Sequence, residues 1–423
     1  MGMTMTEKIL AAHAGLESVK PGQLIKAKPD LCMAHDASGP IAMNYFKDAG
    51  FDSAKYPEKV IFVMDHFTPA KDIKTAENCR QIKEFCRQYG LRFIDGCLSK
   101  TGITHALLPE QGWVATGDLV IGGDSHTVTY GALGAVSSGI GCSDIACFIA
   151  TGEAWFKVPP TIRVNLTGEL KPWVTGKDVM LHLINKISVS GALYKALEFG
   201  GPGLKNLSMD SRFTIANMAI EAGGKNGIFE VDDITLEYEK GRADHKLRVY
   251  KPDPDAVYEQ VIDLDLGEVE LMVALPHLPE NGVPVKNAPK VKMDEIFIGS
   301  CTNGRISDLA MAAKVLKGHR VAEDLRVLIV PATPTIYKEM VKLGYMETFL
   351  DAGCVISPPT CAACGGGHMG MMGKGEKVLT TTNRNYRGRM GHIDSEIYLC
   401  SPATAAASAI TGYITSPEEI DLM

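Results

Sequence analysis

Three of the chain's eleven cysteines differ from the others in their spacing and in the glycines around them. Cys361 and Cys364 form a C-x-x-C pair in PPTCAACGGGHMG, and Cys301 lies far upstream in GSCTNGR. A thioredoxin-like redox pair would leave Cys301 unexplained. A structural zinc ion would need a fourth ligand, for which His368 would have to turn inward past three glycines. Three thiolates suit a [4Fe-4S] cluster with one open iron, so the spacing favours a cluster while zinc stays an alternative.

A second set of polar residues follows short apolar segments that are predicted to be strands. The motifs are Asp65-His66, Asp124-Ser125-His126, Ser300-Cys301-Thr302-Asn303 and Asn383-Arg384-Asn385. Open α/β sheets bind ligands beyond the carboxyl ends of their parallel strands. We therefore expect these four motifs to face one shared cleft.

The residue types in these motifs suit the removal of water from a hydroxy acid. A histidine titrates near neutrality and can protonate a leaving hydroxyl, and an aspartate beside it, such as Asp65 next to His66, can orient and charge the ring. Arginines such as Arg384 and Arg389 bind carboxylates through two hydrogen bonds and fix the substrate. Taken singly, each motif also has a structural explanation. Asp-Ser-His-Thr is a good helix N-cap, and Arg389 could lie on a solvated face.

The elements that position these residues alternate between strand and helix, which predicts an α/β fold with mostly parallel sheets. The predicted strands are residues 59–64, 118–123, 295–299, 325–330 and 377–382. One helix is predicted to begin at Thr68-Pro69 and to end at Gly90, and another to run from Ser208 to Gly223. Residues 231–289 are rich in proline and charge, and we interpret them as the edge of a middle domain followed by a linker.

Length and composition narrow the class of protein. The chain has 423 residues, which predicts two or three domains, and 45% of them are apolar, enough for a large core. It shows no apolar stretch of membrane-spanning length and no signal peptide. Cysteines without an export signal point to a reducing compartment, so we expect a cytoplasmic protein. The net charge of −7 disfavours nucleic acid or an anionic membrane as the main partner.

The remaining cysteines are expected to be buried thiols, because free cysteine is among the most often buried residue types. Cys79 and Cys86 flank Ile82 on one face of the first predicted helix. The others with this interpretation are Cys32, Cys97, Cys142, Cys147, Cys354 and Cys400.

Taken together, the motifs resemble those of the aconitase superfamily. The closest resemblance is to large subunits of the 3-isopropylmalate dehydratase type, with their homoaconitase and 2,3-dimethylmalate dehydratase relatives. The matching segments are Met64 to His66, GITHALLPE around His105, Gly123 to Thr127, Gly299 to Arg305, the C-x-x-C segment and Thr382 to Gly391. The similarity runs from near residue 30 to near residue 410. It implies an aconitase-type α/β/α large subunit of three domains, residues 1–158, 159–288 and 289–423, around a central iron–sulfur cleft.

The resemblance also implies roles for individual residues. Cys301, Cys361 and Cys364 would hold one [4Fe-4S] cluster with one open iron. The catalytic residues would be Asp65, His66, His105, Asp124, His126 and Glu198, the last in LEFGGPG. The substrate-binding residues would be His35, Ser125, Asn383, Arg384 and Arg389. The implied reaction is the reversible dehydration and hydration of a 2-hydroxy di- or tricarboxylic acid, most closely the interconversion of 3- and 2-isopropylmalate.

Departures from the family pattern leave 2,3-dimethylmalate and homocitrate as alternative substrates. The segment CAACGGGH carries an unusual pair between its cysteines, and the loop from Asp95 to Thr104 is unusual too. His35 stands where the wider family often has an amide, and Cys142 replaces a small hydroxyl residue. No swivelling domain is recognised up to Met423. We therefore expect a separate small subunit to supply the remaining catalytic groups.

Two functions from other classes are disfavoured. An aconitase-like protein without a cluster can bind RNA, but the net charge of −7 and the missing fourth domain speak against that function. An electron-transfer protein would need four cysteines for each cluster and would not need the Asp-His and arginine motifs.

Overall fold

The structure is a computed structural model that describes residues 2–95 and 100–420. The strands of this part are β1 Leu24–Ala27, β2 Leu31–His35, β3 Val60–Val63, β4 Arg92–Ile94, β5 Leu119–Gly122, β6 Val136–Gly139, β7 Ala154–Lys157, β8 Thr161–Thr167, β9 Ala196–Gly200, β10 Asn226–Phe229, β11 Gln260–Asp265, β12 Met272–Ala274, β13 Gly282–Pro284, β14 Glu295–Gly299, β15 Arg326–Val330, β16 Val355–Ile356, β17 Lys377–Thr380 and β18 Glu396–Cys400.

The α-helices are α1 Met5–Ala14, α2 Gly39–Asp48, α3 Ile73–Tyr89, α4 Thr104–Glu110, α5 Cys142–Thr151, α6 Gly176–Ile187, α7 Met209–Asn217, α8 Asp233–Glu239, α9 Ser300–Asn303, α10 Ile306–Leu316, α11 Pro334–Lys342, α12 Tyr345–Ala352, α13 Pro402–Thr411 and α14 Pro417–Ile420. Segments of 3-10 helix are Pro57–Lys59, Ser125–Leu133, Leu204–Asn206, Met218–Ala222, Leu266–Glu268, Val285–Asn287 and Ala362–Gly365. Within the described ranges, every helix is too short or too polar to cross a lipid bilayer.

The chain divides into two compact units. Unit 1 comprises Met1–Gly168 and Ala192–Asp265, and unit 2 comprises Glu169–Gly191 and Leu266–Met423. The division into three domains at residues 158 and 288 stays a prediction.

Unit 1 contains a five-stranded parallel sheet with the strand order β4-β3-β2-β5-β6. Its three central strands are buried along their whole length, as is usual for parallel strands covered on both faces. Phe46, Phe62, Phe85 and Phe148 belong to the core that packs against this sheet. The rigid core fixes the carboxyl ends of β3, β2 and β5 side by side, where polar motifs follow.

Two smaller sheets complete the strands of unit 1. A parallel sheet has the order β10-β9-β8-β11, and β1 pairs with β7 in an antiparallel ribbon. Helix α7 begins after Ser208, whose hydroxyl accepts a hydrogen bond from the backbone N–H of Ser211 at 3.2 Å. It continues as 3-10 helix to Ala222 and stops at Gly223, which has a φ of 84°. The predicted helix from Ser208 to Gly223 is confirmed.

Helix α3 begins later than the sequence predicted. Its N-cap is Asp72, whose Oδ1 accepts a hydrogen bond from the backbone N–H of Thr75 at 2.8 Å. The prediction that Thr68 caps this helix is wrong, because the Thr68 hydroxyl instead donates to the carbonyl oxygen of Met64 at 2.9 Å. The predicted end at Gly90 is confirmed.

Unit 2 contains a seven-stranded sheet with the order β13-β12-β18-β17-β14-β15-β16. Strands β18, β17, β14, β15 and β16 are parallel, and β12 and β13 add an antiparallel edge. The predicted strands at 295–299, 325–330 and 377–382 are confirmed, the last two slightly shorter than expected. The interpretation of residues 231–289 as domain edge and linker needs correction, because β12 pairs with β18 within this sheet.

The cysteines outside the C-x-x-C and GSCTNGR segments mostly behave as expected. Cys32, Cys86, Cys354 and Cys400 are buried, and burial raises the pKa of each thiol. Cys79 and Cys142 are half-buried. The prediction for Cys147 is wrong, because its side chain is exposed on the outer face of α5, and Cys97 lies outside the described residues.

Candidate active site

Asp65 and His66 follow β3 in unit 1 and form a tight pair. The Nδ1 atom of His66 lies 2.6 Å from Oδ1 of Asp65. The other carboxylate oxygen accepts hydrogen bonds from the backbone N–H of Thr104 at 2.8 Å and from its hydroxyl at 2.6 Å. Thr104 is the first residue of α4, so the helix N-terminus fixes the carboxylate.

The charges of this pair follow from burial and from mutual attraction. Burial disfavours a charge on His66, but the Asp65 carboxylate outweighs it and raises the pKa of His66 to about 10. Burial likewise opposes the charge on Asp65, yet the neighbouring imidazolium lowers the pKa of that carboxyl to about 2. At neutral pH the two side chains therefore form an ion pair.

Asp124 follows β5 and is shared by three imidazoles. Its Oδ1 lies 2.9 Å from Nε2 of His105 and accepts the backbone N–H of His126 at 2.7 Å. The same carboxylate lies 3.4 Å from Nδ1 of His126 and 3.4 Å from Nε2 of His35. Burial alone would raise the pKa of Asp124, but the bonds from these histidines hold it well below its usual range.

His35, the last residue of β2, connects the two aspartate groups. Its Nδ1 accepts backbone N–H bonds from Ala37 at 3.1 Å and from Ser38 at 3.2 Å. An accepting Nδ1 carries no proton, so the proton of the ring sits on Nε2, on the side of Asp124. The ring also stacks on His66 with 4.0 Å between centroids.

His105, on α4, is held as a neutral ring. Its Nε2 donates a hydrogen bond to Asp124. Its Nδ1 lies 3.2 Å from the hydroxyl of Tyr130 and accepts a hydrogen bond from it. Burial lowers the pKa of His105 and outweighs the attraction of Asp124. The structure thus brings His35, Asp65, His66, His105 and Asp124 into one group, together with His126.

Glu198 forms hydrogen bonds to residues outside this group, whereas Glu221 contacts a histidine of the group. The Glu198 carboxylate, on β9, accepts the backbone N–H of Met5 at 3.0 Å and the hydroxyl of Tyr258, so it anchors the start of α1. Glu221 is 1% exposed, and its Oε1 lies 3.0 Å from Nε2 of His126. A lone carboxylate in the apolar stretch NMAIEAGG was the sequence signal for it.

Part of this group also has the geometry of a cation site. Ligand atoms of His35, Asp36, Asp65 and His66 all lie within 4.8 Å of one another. Asp36, however, already accepts the backbone N–H of His66 at 3.0 Å and that of Phe67 at 2.8 Å. These hydrogen bonds and the Asp65–His66 ion pair account for the close approach of the four side chains without a metal ion.

Ser125 lies between Asp124 and His126 at the start of a 3-10 helix and is half-buried. A cavity of about 440 Å³ lies beside Asp124 and Ser125 in unit 1, with mainly apolar walls that include Val128 and Ile140. The volume is sufficient for a small organic acid.

The three cysteines singled out by their spacing lie together in unit 2. Cys301, Cys361 and Cys364 are all buried. The Nδ2 atom of Asn383 lies 3.6 Å from Sγ of Cys301, and its Oδ1 lies 3.7 Å from Sγ of Cys364. Because one amide contacts both thiols, their sulfurs are within about 10 Å of each other. Cys301 is therefore near the C-x-x-C pair despite the sequence separation.

The backbone around these cysteines is unusual. Ser300, directly before Cys301, has a φ of 75°, and Ala362, directly after Cys361, has a φ of 52°. Gly299 has a φ of 145°, and a Cβ there would lie 2.1 Å from the carbonyl oxygen of Val330. Such conformations cost energy and concentrate at functional sites, so they mark the two cysteine segments as candidates for function.

The segment from Asn383 to Arg389, which carries the two predicted substrate-binding arginines, packs against the C-x-x-C segment. Asn383 and Arg384 follow β17, and Arg384 and Arg389 are half-buried. Gly366 has a φ of 64°, and a Cβ at this position would lie 2.9 Å from the carbonyl oxygen of Arg389. Unit 2 thus brings Asn383 next to two of the thiols and the backbone of Arg389 next to Gly366, two residues after Cys364.

Comparisons with known proteins agree with the motifs. A sequence model of the aconitase family (aconitate hydratase) matches residues 7–412. The chain is 55% identical over 421 residues to the 3-isopropylmalate dehydratase large subunit of Helicobacter hepaticus, covering 99% of this chain and 100% of that protein. The large subunit from Moorella thermoacetica is 55% identical over 420 residues, again with 99% and 100% covered. The holo-form crystal structure of Thermococcus kodakaraensis aconitase X gives a TM-score of 0.48 at 13% identity, covering 90% of this chain and 88% of that one.

The names of the family and of these relatives describe enzymes that add or remove water, which confirms the prediction of a hydro-lyase with an aconitase-like α/β fold. With a family match over almost its whole length and relatives that are 55% identical from end to end, the chain belongs to the aconitase family.

Proposed function

We propose that this chain is the large subunit of an enzyme that interconverts 3- and 2-isopropylmalate by removing and re-adding water. The observation that carries the proposal is the contact of one side chain, Asn383, with both Cys301 and Cys364. The names of the relatives support the substrate. Cys301, Cys361 and Cys364 are the cysteine group of unit 2. The histidine group of unit 1 consists of His35, Asp65, His66, His105, Asp124 and His126.

Cys301, Cys361 and Cys364 would hold a [4Fe-4S] cluster. They fit this group because all three are buried and are flanked by backbone that glycine or strained turns bring close. When bound, a cluster with one iron not held by cysteine supplies a Lewis acid that polarises the hydroxyl of a substrate. His368, the alternative fourth ligand of a zinc site, is buried. Iron and zinc content of the purified chain separates the two metals.

His66 is the proposed proton donor. In the dehydration, a proton leaves the carbon next to a carboxylate, and the hydroxyl of the neighbouring carbon leaves as water. Asp65 holds Nδ1 of His66 and keeps the ring charged, so the Nε2 proton is the one that can pass to the departing hydroxyl. In the hydration, the same ring takes a proton back from water.

Asp124 and Glu221 are proposed as the groups that orient the remaining imidazoles. Asp124 fixes His105 and His126, and Glu221 fixes the other side of the His126 ring. An imidazole held at both nitrogens keeps its orientation during proton transfer. We propose that Glu221, and not Glu198, is the catalytic glutamate that the resemblance implied.

The charged and polar groups near the cysteines are proposed to bind the substrate's carboxylates. Arg384 and Arg389 can each form two parallel hydrogen bonds to a carboxylate. Ser125 and His35, which lie in unit 1, would add hydrogen-bond donors. Asn383 would sit beside the cluster, because its amide already contacts two of the cysteines.

A small subunit is the proposed partner. The relatives are named large subunits, which implies a second chain for those enzymes. The base that removes the carbon-bound proton would come from that chain. The purified large subunit with reconstituted cluster is expected to be inactive alone and active after addition of a small subunit of the same type. Full turnover without any partner would refute the split site.

The substrate is tested with a panel of hydroxy acids. Absorbance of the unsaturated product should report turnover of 3-isopropylmalate above that of 2,3-dimethylmalate and homocitrate. Paramagnetic resonance of the reduced protein should change when the preferred acid binds. An unchanged spectrum with every acid would contradict an iron that is open to substrate.

A further inference from the structure

Lys177 is a fully buried lysine near the start of α6 in unit 2. Its Nζ donates to the carbonyl oxygen of Thr381 at 3.1 Å and to that of Thr382. Burying an ammonium group is costly unless hydrogen bonds or charges compensate it. The hydrogen bonds to these two carbonyl oxygens therefore hold the ammonium group in place, and the ammonium group holds the backbone of Thr381 and Thr382.

The carbonyls that Lys177 binds belong to the residues directly before Asn383. The side chain of Asn383 contacts Cys301 and Cys364, so the backbone at Thr382 sets where this amide lies. Lys177 is thus connected to Cys301 and Cys364 through Asn383 and the backbone before it.

A second connection runs through Thr381. Its hydroxyl accepts the backbone N–H of Gly299 at 2.9 Å and donates to the carbonyl oxygen of Gly299 at 3.1 Å. Gly299 ends β14, and Cys301 follows two residues later. Lys177 and Thr381 therefore tie the carboxyl ends of β17 and β14 together at the point where the cysteine group begins.

Helix α6 is also held by contacts that do not involve Lys177. Asp178 accepts the backbone N–H of Thr175 at 2.9 Å, which caps the helix, and the backbone N–H of Met272 at 2.9 Å, which binds it to β12. Leu181 and Ile184 are buried on the same helix. Loss of the Lys177 ammonium should therefore disturb the segment before Asn383 more than the helix.

We propose that Lys177 is a positioning residue for the cysteine group: its ammonium holds the backbone of residues 381 and 382 so that Asn383 meets Cys301 and Cys364. The inference rests on the proposed function, in which these cysteines hold an iron–sulfur cluster. Lysine suits this position because one ammonium group can donate to two carbonyl oxygens at once.

The test compares Lys177→Met with the unchanged chain and with Lys186→Met, which removes an exposed lysine from the same helix. Each chain is reconstituted anaerobically with its small subunit, and iron, sulfide and the paramagnetic spectrum are measured. Lys177→Met should lose iron to a chelator about tenfold faster, the low end of the effect expected for residues that orient metal ligands. It should also show an altered spectrum, whereas Lys186→Met should match the unchanged chain.

Three results decide between the explanations. Native iron retention and a native spectrum in Lys177→Met would overturn the inference. If Lys177→Met does not fold, as judged by circular dichroism, Thr381→Val is measured in its place, and native iron retention in that variant would overturn it instead. An unchanged chain that takes up no cluster would refute the proposed function rather than the role of Lys177.

Discussion

Replacement of Asp65 by asparagine should shift the pH dependence of the reaction, because the Asp65 carboxylate keeps His66 protonated. With that carboxylate at 2.6 Å, the pKa of His66 is raised to about 10, so the ring stays charged through neutral and mildly alkaline pH. An amide offers no negative charge, so burial would lower the pKa of His66 and only the weaker attraction of Asp36 and Asp124 would still raise it. The pKa of His66 in the variant should therefore fall from about 10 toward the ordinary value of 6.5.

The size of the effect follows from the protonated fraction. A proton donor works in its protonated form, so activity is lost as the pH rises through its pKa. With a pKa of 6.5, only about 1% of His66 is protonated at pH 8.5, whereas most of it is protonated at pH 5.5. In Asp65→Asn the rate should consequently fall about 100-fold between these two pH values, while the unchanged enzyme shows no such alkaline loss in this range.

The assay is kcat/KM from pH 5.5 to 9.5, followed by absorbance of the unsaturated acid with the small subunit present. Asp244→Asn is the matched control, because Asp244 is an exposed carboxylate 2.8 Å from the ring of His245 outside the site. Its profile should equal that of the unchanged enzyme. If kcat/KM of Asp65→Asn varies with alkaline pH in the same way as kcat/KM of the unchanged enzyme, His66 is not a donor that Asp65 keeps charged.

Three further changes test other parts of the site. Glu221→Gln should lower kcat about 100-fold with little change in KM, whereas Glu198→Gln should lower the melting temperature and leave kcat unchanged. Steady-state kinetics and thermal unfolding distinguish these two effects. Equal kcat values in the two variants would contradict the proposed role of Glu221. Arg389→Lys should raise KM about tenfold at unchanged iron content, because lysine cannot form the bidentate pair. Cys301→Ser should bind much less iron after anaerobic reconstitution than Cys354→Ser, which replaces another buried thiol of unit 2; equal iron contents would exclude Cys301 as a ligand.

The strands that carry the site were predictable because buried parallel strands are short, continuous apolar runs. Residues 295–299 were predicted and found as a strand, and Cys301 follows it as expected. The rule that polar residues act beyond the carboxyl ends of parallel strands then predicted Asp65, Asp124 and Asn383 as site residues, and in the structure each of them does follow a strand. Periodicity and apolar content are local properties, so one sequence is sufficient to find them.

Choices between equivalent local signals were less predictable. Thr68 and Asp72 are both good N-cap residues, and only the structure shows that the Thr68 hydroxyl is bound to the backbone of Met64. Glu198 and Glu221 are both carboxylates in apolar surroundings. Which of them meets a histidine depends on how β9 and the 3-10 helix after α7 pack, and that is a long-range property.

The role of His35 follows from strand order rather than from its neighbours in sequence. Strand β2 lies between β3 and β5, so its last residue lies between the Asp65-His66 pair and Asp124. Asp124 is one carboxylate facing three imidazoles, and their hydrogen bonds hold its pKa well below the usual range. Burial lowers the pKa of His105, whereas Asp65 raises the pKa of His66 to about 10. These two rings therefore differ in charge at neutral pH, and of the two only His66 carries the extra proton that the proposed donor role requires.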